Sequence, residues 1–216
     1  MLTRREMIAV AGSLVLASVT PWAMAAADAT GDPDQWILEI SNNILNAIKT
    51  DSELASGDAQ KVKKFVDELV MPVVDFERMT RTAVGPKWRQ ATKEQRAELQ
   101  TLFREQLTRV YSGALTTVKD QGVKLAPNRV KPTATDALVR TLLTTPGKPD
   151  VRVNYRLKKV SGSWRIVDVD VEGIWLVENY RTQFAGVVNQ SGIEGLIKTM
   201  REKLTEPVEG TPNVGQ

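Results

Sequence analysis

Three carboxylates at alternate positions, Asp168, Asp170 and Glu172 in "WRIVDVDVEGIWLVENYR" (164–181), are the side chains of this sequence whose type and spacing most invite chemistry. Clustered carboxylates can bind a hard divalent cation, and one held at a raised pKa can act as acid or base. The chain has no cysteine and no histidine. Thiol nucleophiles, disulfides, zinc sites built on His or Cys, and Ser-His-Asp arrangements are therefore excluded. A general base working near neutral pH would have to be a perturbed carboxylate or lysine.

The strand that carries the acids argues against such a role. With a rise of about 3.4 Å per residue, positions i and i+2 lie about 7 Å apart, too far for a shared ion without loop ligands. The preceding stretch, "VRVNYRLKKV" (151–160), alternates Val151, Val153, Tyr155 and Leu157 with Arg152, Asn154, Arg156 and Lys158. Residues directly opposite in an antiparallel pair share a face, so matching polar to polar fixes the register. A three-residue loop, Ser161 to Ser163, sets Arg156 opposite Asp168, Asn154 opposite Asp170 and Arg152 opposite Glu172. A two-residue turn at Ser161-Gly162 would instead set Tyr155 opposite Asp168. The first register is expected, with the acids on the solvated side and answered by basic neighbours. Val151, Val153, Tyr155 and Leu157 then share an apolar face with Val167, Val169 and Val171.

The elements around this hairpin follow from hydrophobic period. "DQWILEISNNILNAI" and "AQKVKKFVDELV" read as helices, the second stopped by Pro72. "VVDFERMTRTAV" reads as a third, closed by Gly85-Pro86. "TKEQ" at Thr92 is a capping box, opening a helix whose apolar stripe runs from Leu99 through Leu102, Phe103, Leu107, Val110, Tyr111 and Ala114 to Val118. The period then becomes two, with a short edge strand in "VKLAPNRVKP" and a longer one over 137–145. A helix follows the acidic strand, and "SGIE" at Ser191 opens a last one through Leu204. The fold class is α+β: several helices packed around a curved antiparallel sheet, able to enclose an apolar pocket.

Of the 216 residues, 42% are hydrophobic and 25% charged, which suits one domain. Residues 1–25 read as a signal peptide: Arg4 and Arg5, an apolar run, then Ala23-Met24-Ala25 as an A-x-A cleavage site. The remainder divides into a flexible start (26–33), a single domain (34–205) and a disordered tail (206–216). The net charge is +3, and losing Arg4, Arg5 and Glu6 leaves +2, too little to argue for nucleic acid.

"VMPVVDFERMTRTAVGPKWRQATKEQRAELQTLFREQL" and "VEGIWLVENYRTQFAGVVNQSGIEGLIKTMREKL" together resemble the MlaC, or toluene-tolerance auxiliary, family of Gram-negative bacteria. The resemblance runs in order along nearly the whole chain behind the export signal. It implies a nuclear-transport-factor-2-like fold and a soluble periplasmic phospholipid carrier, not an enzyme, that maintains outer-membrane lipid asymmetry. It also implies transient partners: an outer-membrane lipoprotein–porin complex and an inner-membrane ABC transporter with an MCE-domain subunit. Phospholipid is then cargo, and neither cofactor nor metal is called for.

The expected lipid contacts come from the inward strand face, Val153, Tyr155, Val169 and Val171, and from helices over it, Phe76, Phe103, Leu107, Tyr111, Tyr180 and Phe184. Trp88 and Trp175 are placed at a half-wet pocket mouth, where indole is at home. Arg81, Lys87 and Arg181 could meet a phosphate. Two alternatives stay open: a carrier of another hydrophobic molecule, and an enzyme on the same fold using a buried carboxylate.

Overall fold

The computed structural model describes residues 28–206. The expected signal peptide and all of the expected tail but Glu206 lie outside the described residues. The α+β class holds: among the described residues six helices pack against one open, five-stranded antiparallel sheet.

Helix α1 (Pro33–Thr50) starts where Asp32 accepts from the Asp34 and Gln35 N–H groups, with proline in its first turn. It buries Trp36, Ile37, Ile40, Ala47 and Ile48 at helical spacing. A single turn, α2 (Ser52–Ala55), follows, unannounced by any periodicity. Helix α3 (Ala59–Phe65) runs into a π-helical turn (Val66–Val70) and a 3₁₀ turn (Met71–Val73), where one continuous helix was expected. Helix α4 (Phe76–Val84) is capped by Asp75, which accepts the Arg78 N–H at 3.0 Å, and ends at Gly85 with φ +77°. Helix α5 (Lys93–Leu115) opens on the expected capping box: Gln95 N–H donates to Thr92 Oγ1 (3.2 Å) and Thr92 N–H to Gln95 Oε1 (2.9 Å). Helix α6 (Leu176–Thr205) is broken at Gly192 (φ 67°, ψ −163°). The break falls where a new helix was expected, but Glu194 takes a hydrogen bond across from Gln95 Nε2 (2.5 Å).

Strands β1 (Gly122–Leu125), β2 (Asp136–Thr144), β3 (Val151–Val160), β4 (Ser163–Val171) and β5 (Ile174–Trp175) form a meander in that spatial order. The short β5 was not anticipated. Residues 28–32, read as a flexible start, are instead tied to the β3–β4 hairpin. Trp164 donates its backbone N–H to the Ala29 carbonyl (2.7 Å) and its indole Nε1 to that of Gly31 (3.0 Å).

The buried apolar side chains fall into three clusters. One joins α4, α5 and α6. A second lies between α1 and the sheet, around Trp36, Ile37, Val139, Leu157 and Trp164. A third joins the end of α1 to α2, α3 and the π turn. Val74 packs on both the first and the second, and Ile44 on both the second and the third. Helix α5 connects the third to the first, through Leu115 and Leu107.

Candidate functional site

The β3–β4 hairpin reaches the expected acid–base pairing by an unexpected route. Val160 pairs with Ser163, so the turn has two residues, and Ser161 (φ 50°) and Gly162 (φ 85°) both take positive φ. That is the geometry whose twist matches a hairpin, and it replaces the expected three-residue loop. Leu157 pairs with Ile166 but Arg156 with Asp168, leaving Val167 as an extra residue in a β-bulge. Beyond the bulge the ladder is Arg156–Asp168, Asn154–Asp170, Tyr155–Val169 and Val153–Val171. Glu172 is not a strand residue. With Gly173 it makes a second tight turn at positive φ into β5, and it still pairs with Arg152 (3.6 Å).

The acids do not face water. Asp168 is 5% exposed and Asp170 1%. The expectation of a solvated ladder fails because the start of α6 folds over this edge of the sheet. Asp168 Oδ1 accepts the N–H groups of Val177 (2.9 Å) and Val169 (2.9 Å), the first belonging to the opening turn of α6. Arg156 completes the arrangement at 3.3 Å, with its guanidinium stacked 3.7 Å over the Trp175 ring. Burial pushes the Asp168 carboxyl above its ordinary range, and the hydrogen bonds from Val177 and Val169 oppose that shift. Asp170 accepts from Asn154 Nδ2 (2.5 Å) and keeps its Oδ2 buried without a partner. Asp168 is thus a helix cap that ties α6 to β4. Among the described residues no group of three or more acidic side chains could hold a metal ion.

The other face of the hairpin is apolar, as expected, with one exception: the bulge turns Val167 to the polar face. There it lines a shallow cleft with Leu138, Arg156 and Lys158. On the apolar face Leu157 is buried, whereas Val153, Tyr155, Val169 and Val171 are all half-buried. Tyr155 and Val169 pack at the edge of the α1–sheet cluster; Val153 and Val171 belong to no cluster. The Tyr155 hydroxyl lies within hydrogen-bonding reach of Ser41 and Thr141, and burial raises its pKa. Across the core, every residue of α5 from Leu107 to Leu115 is half-buried, in contrast to Leu99, Leu102 and Phe103 one and two turns earlier. Leu107 borders the helical cluster. Tyr111 stands near Tyr180, whose phenol burial pushes up to about 12. All three tyrosines are therefore neutral at ordinary pH.

The remaining expected contacts sit elsewhere. Phe76, Phe103, Tyr180 and Phe184 pack on one another, with ring centroids 4.9–5.6 Å apart, inside the helical cluster. Trp88 is buried in the same cluster, with Arg96 5.6 Å over its ring, so it is not at a half-wet rim. Trp175 is half-buried, but its pairing with Asp170 puts it on the polar face, away from the valines. Arg81, Lys87 and Arg181 are exposed. Two surface clefts, of about 370 and 270 Å³, are lined by none of the twelve expected contact residues. Two junction residues lie outside the expected contacts. Ile44, on the α1 stripe that the sequence reading did mark, packs on two of the clusters. Val74 is placed by an isolated parallel bridge to Ile166, which no local pattern announces.

No helix among the described residues is long and apolar enough to cross a membrane. The family model for the MlaC protein matches residues 38–202. Toluene tolerance protein ttg2D of Pseudomonas putida is 26% identical over 182 residues, covering 84% of this chain and 83% of that protein. The intermembrane phospholipid transport system binding protein MlaC of Haemophilus influenzae is 20% identical over 173 residues, covering 79% and 81%. A phospholipid-binding protein of Ralstonia solanacearum, solved in complex with a phospholipid, matches with a TM-score of 0.75 and 35% identity over 84% of this chain and 100% of that one. With this match along most of its length, the chain belongs to the MlaC family.

Proposed function

We propose that this protein is a soluble periplasmic phospholipid carrier that moves lipid between outer- and inner-membrane complexes and so maintains outer-membrane lipid asymmetry. Its partners in that reading are an outer-membrane lipoprotein–porin complex and an inner-membrane ABC transporter with an MCE-domain subunit. The observation that carries the proposal is the row Val153, Tyr155, Val169 and Val171: an apolar sheet face left half-covered, as is the second half of α5. Each acyl CH₂ costs about 0.8 kcal/mol in water, so a soluble carrier must enclose both chains almost completely. The four sheet residues form one wall and Leu107 and Tyr111 the other. The rings of Phe76, Phe103, Tyr180 and Phe184 close the helical end. Trp88 and Trp175 act as supports. Ile44, Val74 and the second half of α5 are the seams that part when lipid enters.

A carboxylate-based enzyme would need an acid on this apolar face. Asp168 and Asp170 point to the opposite one, and Asp168 is engaged by α6. The deciding experiment is solvent extraction of the purified protein followed by mass spectrometry. Two-chain phospholipid near one per protein is expected. Protein that comes out empty and never takes lipid from vesicles would sink the carrier reading, and another hydrophobe in the extract would replace it. Val169→Asp sets a carboxylate into the apolar wall, which costs on the order of several kcal/mol if it stays charged. It should lower lipid uptake at least about tenfold while far-UV circular dichroism stays unchanged.

A further inference from the structure

The opposite face of the sheet has a composition of its own. Strand alternation puts Arg140, Arg152, Arg156 and Lys158 on it, and the first three are exposed. Asp168 is buried beneath this face in a pair with Arg156, so Arg156 is not an unanswered cation. The connection from β1 to β2 carries exposed Arg129 and Lys131, and Lys131 borders the cleft shared with Leu138, Arg156 and Lys158. Lys158 is paired with Asp136, and Arg152 with Glu172. Arg129, Lys131 and Arg140 form no ion pair with any carboxylate among the described residues. Apolar side chains lie between the cations: Val130 is 50% exposed and Val160 37%, and Leu138 and Leu142 are half-buried.

Unpaired cations spread over an exposed sheet face call for an extended anionic counterpart. The cleft here is shallow and about 270 Å³. Interleaved aliphatic side chains suit a surface with hydrocarbon just beneath its charge. We propose that this face docks the protein on an anionic phospholipid bilayer, with the cargo held against the other face of the same sheet. The docking proposal does not depend on the cargo.

The test uses the purified chain without residues 1–25, sedimented with vesicles of phosphatidylcholine alone or mixed with phosphatidylglycerol. Binding is expected to the anionic vesicles only. It should be strong at about 0.01 M salt, where the Debye length is about 30 Å, and lost at about 1 M, where it is about 3 Å. Each basic residue near such a surface contributes about 1 kcal/mol, roughly fivefold. The triple variant Arg129→Glu/Lys131→Glu/Arg140→Glu should therefore partition at least about a hundredfold less. If that variant melts early, Lys131→Glu alone, in an exposed connection, still predicts a loss of about fivefold or more. Equal binding to both vesicle types, no binding at low salt, or a variant that binds like the parent would each overturn the proposal. Capture by polyglutamate without capture by anionic vesicles would overturn it in favour of an acidic protein partner. Lipid extracted from the same preparation is read separately, so an empty protein that still binds vesicles would fault the carrier reading alone.

Discussion

At the scale of single residues, Asp168 joins three elements: it caps α6 through Val177, it is met by Arg156 from β3, and it is fixed on β4. Its partners were readable from strand parity, since Arg156, Asn154 and Arg152 are the residues paired with Asp168, Asp170 and Glu172. Its burial was not, because the cover comes from a helix start that no local pattern points toward the sheet. The raised pKa has a definite sign. The folded state holds the proton to higher pH than the unfolded chain does, so the residue's favourable contribution is present below the ordinary value of 3.8 and is lost as pH rises through the folded value. Asp168→Asn keeps the acceptor for Val177 and removes that titration. Relative to the parent it should gain stability between about pH 4 and pH 7, as measured by urea unfolding at both. Parallel slopes for the two proteins would refute the assignment. Asp168→Ala leaves a buried N–H without an acceptor and should cost about 1–3 kcal/mol at either pH. Lipid uptake should survive Asp168→Asn, and a large loss would return chemistry to the acidic pair.

At the scale of elements, local rules did well wherever the answer was local. The Thr92 capping box, the α1 stripe and the period-two alternation of β3 and β4 all correspond to observed elements with boundaries close to those expected. The misses have a shared cause. The two-residue turn at Ser161-Gly162 shifts the register by one residue and the bulge at Val167 shifts it back, so parity arguments gave the correct pairs beyond the bulge from an incorrect loop. The π turn after α3, the single turn α2 and the two-residue β5 are set by what packs on them. Gly192 tests this reading of α6. Its φ and ψ lie in a region open essentially to glycine, so Gly192→Ala should cost about 1–3 kcal/mol. Gly186, in regular helix with no heavy atom near its added Cβ, is the control. Gly186→Ala should stabilise by roughly 0.5–1 kcal/mol. Thermal melts of the two variants moving in the same direction would mean that the break is not imposed at Gly192.

At the scale of the whole molecule, a core divided into three clusters has seams, and a carrier needs seams that open. The helical cluster around Phe103 is closed and aromatic, whereas the sheet residues Val153 and Val171 and the helix residues 107–115 are only half-covered. Bound lipid stabilises the state that holds it in proportion to the logarithm of ligand concentration over Kd, and it does so most where it supplies the missing cover. Stripping the cargo should therefore lower the melting temperature and speed amide exchange unevenly. Exchange should quicken in β3, in β4 beyond the bulge and in the second half of α5, since low local packing marks the segments that open first. Amides of α4 and of the first half of α6 should change little. Hydrogen–deuterium exchange with mass spectrometry on loaded and stripped protein reads both regions in one experiment. A response concentrated at Phe76, Tyr180 and Phe184 would move the lipid into the aromatic cluster and restore those side chains as its principal contacts. A response confined to 107–115 and to the valine face would leave the sheet as the wall against which the chains lie.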